Sequence, residues 1–320
     1  MRPMRRVKTG TAALTALVTL ALLALIPFDL PLLNDWLFRI ATLVMLAVSW
    51  NMMASAGMIS LGHSAFWGLG GYCCLLVANV FEVGFGFSFL AAMAVGAATG
   101  LLLALLTGRL RGVFFAVATL ALSEGLRIAG LMLPDLTGGA AGLFLEPGAR
   151  PAATLLYEAA VIAAVLSVAI AWLLSRTRLR FAMRAMRENE DAAQMLGINP
   201  LLFRALISAV AGAMTAAAGG FNLWYSGYIA PDLAFTLHFA ILAQIAVIIG
   251  GINTLAGPVI GAFLIIALSE LTRILVGSRE GYSLLIYGVL LVAAITFLPG
   301  GLYGLVQQRR MRPAERADRA

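Results

Sequence analysis

Long apolar stretches follow one another along most of this chain, separated by short polar gaps. A helix that crosses a bilayer core needs about 20 mostly apolar residues. Stretches of that kind fall near 11–28, 36–56, 64–81, 87–107, 113–133, 155–174, 203–223, 235–250, 258–276 and 283–298. They predict an all-α integral membrane protein with about ten transmembrane helices. Gly57, Gly62, Gly68, Gly70 and Gly71 crowd the start of the third stretch, so a broken or re-entrant region is expected near 57–71. Such backbone is stable at membrane depth only against protein or a wet cavity. The spans leave no room for a soluble domain, and residues 1–320 read as a single polytopic domain.

Basic residues collect in alternate gaps. With the N-terminus inside, the even-numbered gaps and both ends hold 17 of the 22 Lys and Arg residues, within 2–8, 109–111, 176–204 and 309–319. The opposite gaps hold mostly acids, among them Asp29, Asp35, Glu82, Asp135, Glu146 and Asp232. Lys and Arg mark cytoplasmic loops. Both termini are therefore expected in the cytoplasm, with a cytoplasmic segment at 175–202 and a basic cytoplasmic tail at 299–320. The first stretch follows basic residues as a signal peptide would. It ends in Ile26-Pro27-Phe28 without a small-residue cleavage site, and is expected to be a retained helix.

Composition narrows the function. The chain is 62% hydrophobic and 12% charged, against about 25% charged in a typical soluble domain. The isoelectric point near 10.0 then expresses the inside bias. No basic domain stands apart from the membrane, so no nucleic-acid partner is expected. Lys8 is the only lysine, and no glycines precede it as a phosphate-binding loop requires. The chain is not its own P-loop ATPase. His63 and His238 form no metal-ligand spacing, and adjacent Cys73 and Cys74 read as packing residues. No Gly-x-Ser-x-Gly elbow is present. No metal, cofactor or catalytic set is expected in this chain.

The longest inner gap, 175–202, has its own pattern. Phe181, Met183, Ala185, Met186, Ala192, Ala193 and Leu196 recur at roughly helical spacing, while Arg180, Arg184, Arg187 and Asp191 take another face. Gly197 is placed to end the helix, and Pro200 blocks its continuation. An amphipathic helix at the inner surface could lie on anionic headgroups or dock a soluble partner.

In this segment Arg184, Arg187, Glu188, Asn189, Glu190, Asp191, Ala192, Ala193 and Gly197 resemble the coupling segment of ABC-importer permeases of the branched-chain amino acid family. Asp191-Ala192-Ala193-x-x-x-Gly197 is similar to the importer EAA loop, with Asp in place of the usual Glu. Its later Ile-x-Leu-Pro part is not recognisable. Four further blocks follow the family's order. They are Asn51 to Phe66, Arg111-Gly112 through Thr119-Leu120-Ala121 to Glu124, Thr137-Gly138-Gly139 with Gly142-Leu143, and Gly250-Gly251 through Thr254-Leu255 and Gly257-Pro258 to Gly261-Ala262. They look more like the second, M-type permease of such systems. The resemblance implies an all-helical permease of about ten spans in a bacterial cell membrane. It implies a second homologous permease, two cytoplasmic ATPases that bind ATP and Mg, and an extracytoplasmic binding protein. The substrate implied is a branched-chain or other small neutral amino acid. One departure is Ala54-Ser55-Ala56-Gly57-Met58-Ile59, blander than the family's tyrosine- and glutamine-bearing stretch. It leaves urea, amides, aromatic acids or a sugar as alternative solutes.

Polar groups in the spans are candidates for the path. Asn51, Ser55, Ser60, His63 and Ser64 surround the expected break, where broken helices turn backbone dipoles toward a solute. His63 could instead bond the freed backbone. Glu124 and Glu270 each precede an arginine by three residues, in Ser123–Ile128 and Ser269–Ile274. Such pairs neutralise each other in part, yet intramembrane ionisable groups usually mark function. They also leave open a proton-coupled transporter that uses Glu124 or Glu270 and needs no ATPase. Gly212, Ala216, Gly219 and Gly220 form a small face for helix packing. Trp224, Tyr225 and Tyr228 read as an interfacial belt.

Overall fold

The computed structural model describes residues 31–81, 84–146, 150–276, 288, 289, 292 and 301–303. The expected span at 11–28, nearly all of that at 283–298 and most of the tail lie outside the described residues.

Eight of the expected spans are present. They are α1 (Pro31–Ser55), α2 (His63–Phe81), α3 (Phe85–Leu106), α4 (Val113–Met132), α6 (Ala153–Arg176), α9 (Pro200–Ser226), α11 (Leu237–Gly250) and α12 (Ala256–Val276). The first seven of these are long and apolar enough to cross a membrane, with Pro231–Ala234 leading into α11. In α12 the apolar stretch is shorter, Ala256–Thr272. Between them lie short pieces: α5 (Pro134–Thr137), β1 (Leu143–Phe144), α7 (Leu179–Glu188), α8 (Glu190–Met195), β2 (Tyr228–Ile229) and α10 (Pro231–Ala234).

The bundle is organised by small residues. No hydrophobic force drives helices together inside lipid, so close backbone approach must supply the attraction. On α9, a Cβ at Gly212 would strike the Gly96 carbonyl of α3, and one at Gly219 would strike the Trp67 carbonyl of α2. Gly100 of α3 abuts the Ser208 carbonyl in the same way. α9 is thus clamped against α2 and α3. α1 is buried along nearly all of its length, whereas α3, α4 and α6 leave broad apolar faces open. Trp50, Phe66, Phe221 and Trp224 fill the centre at 1% exposure or less.

Two expectations change here. The break in the third span is real but shorter than 57–71: the chain leaves helix at 56–62 and is regular from His63 onward. Gly68, Gly70 and Gly71 are ordinary helical positions where neighbours come close. At Gly70 a side chain would meet Ala216 of α9. Trp224 is not part of a membrane belt. It packs edge-on against Phe85, with ring centroids 5.4 Å apart, because α9 turns it into the core.

The gaps sort into two ends. At one end Gly57 packs on Arg187, Arg111 pairs with Asp191, and Asn51 bonds to the 253–254 turn. At the other, β1 pairs antiparallel with β2, Asn79 donates to the Phe144 carbonyl, and Arg127 pairs with Asp232. Among the described residues, the gaps around Gly57, Arg111, Asp191 and Asn253 therefore share one end and those around Leu143 and Ile229 the other, as the alternation of basic residues requires.

Candidate coupling site and translocation path

The segment 175–202 forms two helices where one was expected. Asn189 breaks the run because its backbone is extended (φ −158°, ψ 110°) and its side-chain oxygen accepts from Ala192 N at 3.0 Å. That is an N-cap, which starts a fresh helix in place of extending the old one. The face assignment changes with it. Ala182, Met186 and Ala193 turn inward, while Phe181 and Leu196 stand exposed. Arg180, Arg184 and Arg187 stay on one side of α7, and Asp191 moves to α8.

Two adjacent acids open α8. Glu190 Oε2 accepts from Arg204 of α9 at 2.8 Å and from Arg111, in the gap before α4, at 3.0 Å. Arg204 also donates to the Gly108 and Leu110 carbonyls at 2.9 and 3.1 Å. The Glu190 and Arg204 side chains are only 10% and 8% exposed. Asp191 takes the other arm of Arg111 at 2.9 Å. The Arg111 guanidinium holds the Asp191 carboxyl below the usual aspartate range, mainly through that hydrogen bond. Two carboxylates on one short helix thus tie together α8, α9 and the gap leading into α4.

Gly197 ends α8 at φ +81°. Ile198 N bonds back to the Ala193 carbonyl and Gly197 N to that of Gln194, a left-handed helix end that favours glycine. Nothing lies within 4 Å of a Cβ added there, so backbone conformation and not space selects the residue. Asn199 then caps α9 by accepting from Leu201 N and Leu202 N, with Pro200 at its first turn. The outward surface carries Phe181, Met195, Leu196 and Leu202, and Met195 is 90% exposed.

Neither Arg111 nor Arg204 was among the expected coupling residues: Arg204 entered only through the inside bias, and Arg111 through that bias and the Arg111-Gly112 block. A signal existed: two adjacent acids in a gap otherwise rich in arginine need cations to hold them. Which cations they choose depends on the packing of α9 against 108–111.

The path candidates do not converge. Asn51 and Ser55 line a cavity of about 360 Å³ at the end of the bundle that carries α7. Asn51 accepts from Asn253 N at 2.8 Å and donates to the Thr254 carbonyl at 2.9 Å. It thereby stitches the end of α1 to the α11–α12 turn. Ser60, His63 and Ser64 are fully buried. The backbone freed by the break is met by hydroxyls: Leu61 N donates to Thr119 Oγ1 at 3.0 Å and Gly62 N to Ser60 Oγ at 3.2 Å. Ser64 and Ser123 hydroxyls lie 2.7 Å apart, and Ser123 reaches the Phe235 carbonyl. His63 takes no part in this repair, and neither ring nitrogen has a hydrogen-bond partner among the described residues.

Glu124 pairs with Arg127 at 2.6 Å, and Arg127 reaches Asp232 at 2.5 Å. These side chains remain 52%, 29% and 60% exposed in the chain alone. Charges within a span need protein or water over them. Glu270 is buried, at 7% exposure. The two Glu-x-x-Arg stretches thus occupy different environments, and the Arg273 side chain lies outside the described residues.

Comparison with known proteins agrees with this architecture. Residues 32–295 match the family described as the branched-chain amino acid transport system permease component. The chain is 28% identical to the high-affinity branched-chain amino acid transport permease LivM of Escherichia coli, over 82% of this chain and 69% of that one. It is 27% identical to LivM of Salmonella typhimurium, over 81% of this chain and 67% of the relative. The autoinducer 2 import permease LsrC of Yersinia pseudotuberculosis is 26% identical, over 91% of this chain and 84% of its own length. No solved structure matches.

Proposed function

The chain belongs to the branched-chain amino acid transport system permease family, and we propose that it moves a branched-chain or other small neutral amino acid inward, driven by partner ATPases. It is a multi-pass permease subunit of an ABC importer. In the proposed assembly a homologous permease completes the path, two cytoplasmic ATPases drive the pair, residues 184–197 couple this chain to them, and an extracytoplasmic binding protein delivers the solute. Both termini face the cytoplasm.

The observation that carries this reading is the Glu190–Arg204–Arg111 lattice. It presents α8 and its exposed apolar residues on a rigid support wired to α9 and to the approach to α4. A push on α8 has a direct route into the bundle. The second permease, or a wet path between the two, would cover the Glu124–Arg127–Asp232 charges. A middle poor in fixed charge suits a small neutral zwitterion met by backbone dipoles.

The test is uptake of radiolabelled leucine, a sugar and a dicarboxylate by the full complex in vesicles, with ATP and binding protein supplied. Leucine uptake is expected. Uptake of the sugar or dicarboxylate alone would overturn the solute assignment. A second reading keeps the machine and changes the solute. It rests on the similarity to LsrC, whose alignment spans more of this chain than that of LivM.

A further inference from the structure

The cavity beside α7 carries a cluster of arginines that the Glu190–Arg204–Arg111 lattice does not use. Arg180, Arg184 and Arg187 of α7 point into its lining, and no acid is among the lining residues. Glu188 lies outside it, 3.4 Å from Arg184 and 3.8 Å from Arg187. Arg180 has no ion pair among the described residues. Three guanidiniums against one shared carboxylate leave a local excess of positive charge beside the space. The rest of the lining is mixed, with hydroxyls on Ser55 and Ser175 and apolar surface on Met52 and Leu174. The Arg176 guanidinium lies 4.0 Å over the Trp172 ring next to it, an arrangement common where a helix leaves the bilayer.

We propose that this cavity binds an anionic phosphate group at the cytoplasmic end of the bundle. Arginine forks match phosphate oxygens in pairs, and hydroxyls can supply further donors. Basic pockets between spanning helices on this side suit lipid headgroups. A free phosphate-bearing metabolite offers the same group. An occupant would join α7 to the ends of α1 and α6 and to the α11–α12 turn, all of which contribute to the cavity wall. It would therefore stiffen the support of the coupling segment.

The experiment uses the full chain purified in a neutral detergent, so it does not depend on which end faces the cytoplasm or on transport. Native mass spectrometry after incubation with phosphatidylglycerol or phosphatidylcholine reads lipid retention. The shift of the thermal unfolding midpoint with inorganic phosphate reads the free anion. Several-fold preferential retention of phosphatidylglycerol assigns the group to a lipid, and a phosphate-induced upward shift assigns it to a free anion. Either response should be lost in Arg180→Glu, weakened in Arg180→Ala and kept in Arg180→Lys. Arg180 is exposed, so these variants should fold. Equal retention of both lipids with no phosphate shift overturns the proposal, as does an undiminished response in Arg180→Glu.

Discussion

The two ends of the bundle hold their charges in opposite ways. At the end proposed to face the cytoplasm, the inner end, Glu190 and Arg204 are at most 10% exposed, and Arg204 also satisfies two backbone carbonyls. At the outer end Glu124 and Asp232 flank Arg127 with more than half of each carboxylate side chain open. The two clusters use the same residue types, so burial decides what each can do. A desolvated pair in which both terminal nitrogens of the arginine are engaged loses much if one partner is removed, and it fixes geometry. An open pair is screened and individually weak, and it can exchange partners. The inner cluster therefore suits transmission of force, and the outer one suits a surface that meets a partner or solute.

The largest effect should come from Glu190→Ala. It leaves Arg204 buried without its carboxylate and leaves Arg111 held to α8 by Asp191 alone. Removing one member of a buried pair typically costs about 3–5 kcal/mol. The expected outcome is a lower thermal midpoint for the solubilised complex and loss of ATP-driven uptake. Adding Arg204→Met should recover part of the midpoint but not the uptake, because the link between α8 and α9 stays absent. Recovery of both would mean that the lattice only stabilises, and the contrast between the ends would lose its functional meaning.

Gly197→Val should come next. A β-branched residue at φ +81° strains the end of α8 by about 1–2 kcal/mol. No neighbour is displaced, so the bundle should keep its midpoint within a few degrees while ATPase stimulation by the binding protein falls. A variant that loses both together would show that the helix end is needed for folding, not for coupling alone.

How much of this was legible in the sequence follows the same division between pattern and packing. The eight described spans could be read because lipid imposes a length and polarity rule on each segment separately. Gly197 and Pro200 were legible as a helix end, because left-handed geometry and a missing donor are local properties. The break at Asn189 was not read, although Asn is a strong capping residue, because the helical spacing of apolar residues runs straight through it. The glycines after 62 misled in the opposite direction: they mark close approach to α9, Ile229 and Phe235, which a single segment does not reveal. Arg111 and Arg204 belong to the site only through contacts about 80 and 14 residues away from their acids. Trp224 looked interfacial by type, and the rotation of α9 buried it.

Asp191 offers a smaller and more selective probe. It is exposed and held only by Arg111, so Asp191→Arg should leave the fold intact and reduce coupling by repelling Arg111. The exchange Asp191→Arg with Arg111→Asp should restore part of it. The pH dependence has a definite sign. Because the folded carboxyl sits below its ordinary value of 3.8, its contribution is complete above that value and is lost as pH falls through the lower folded one. Between about pH 5 and 8 the pair should therefore not titrate. ATPase stimulation in wild type and in Asp191→Asn should differ by a constant factor across that range. A ratio that changes with pH would place another titrating group in control of the link.

The smallest effects are expected at the outer end. Arg127 has two carboxylates, so Asp232→Asn leaves it Glu124, and Glu124→Gln leaves it Asp232. Each single change should lower uptake by only a few-fold and leave the thermal midpoint nearly unmoved. The double change removes both acids from an arginine that sits within the span of α4. Its effect should exceed the product of the two single effects, since groups that share one partner do not act independently. Initial uptake rates of the four proteins, wild type included, form the cycle that measures this. If either single change alone abolishes uptake while the midpoint holds, that carboxylate does more than neutralise Arg127. The outer cluster would then contain a group that meets solute or the second permease directly, and its openness would reflect contact in the assembled transporter.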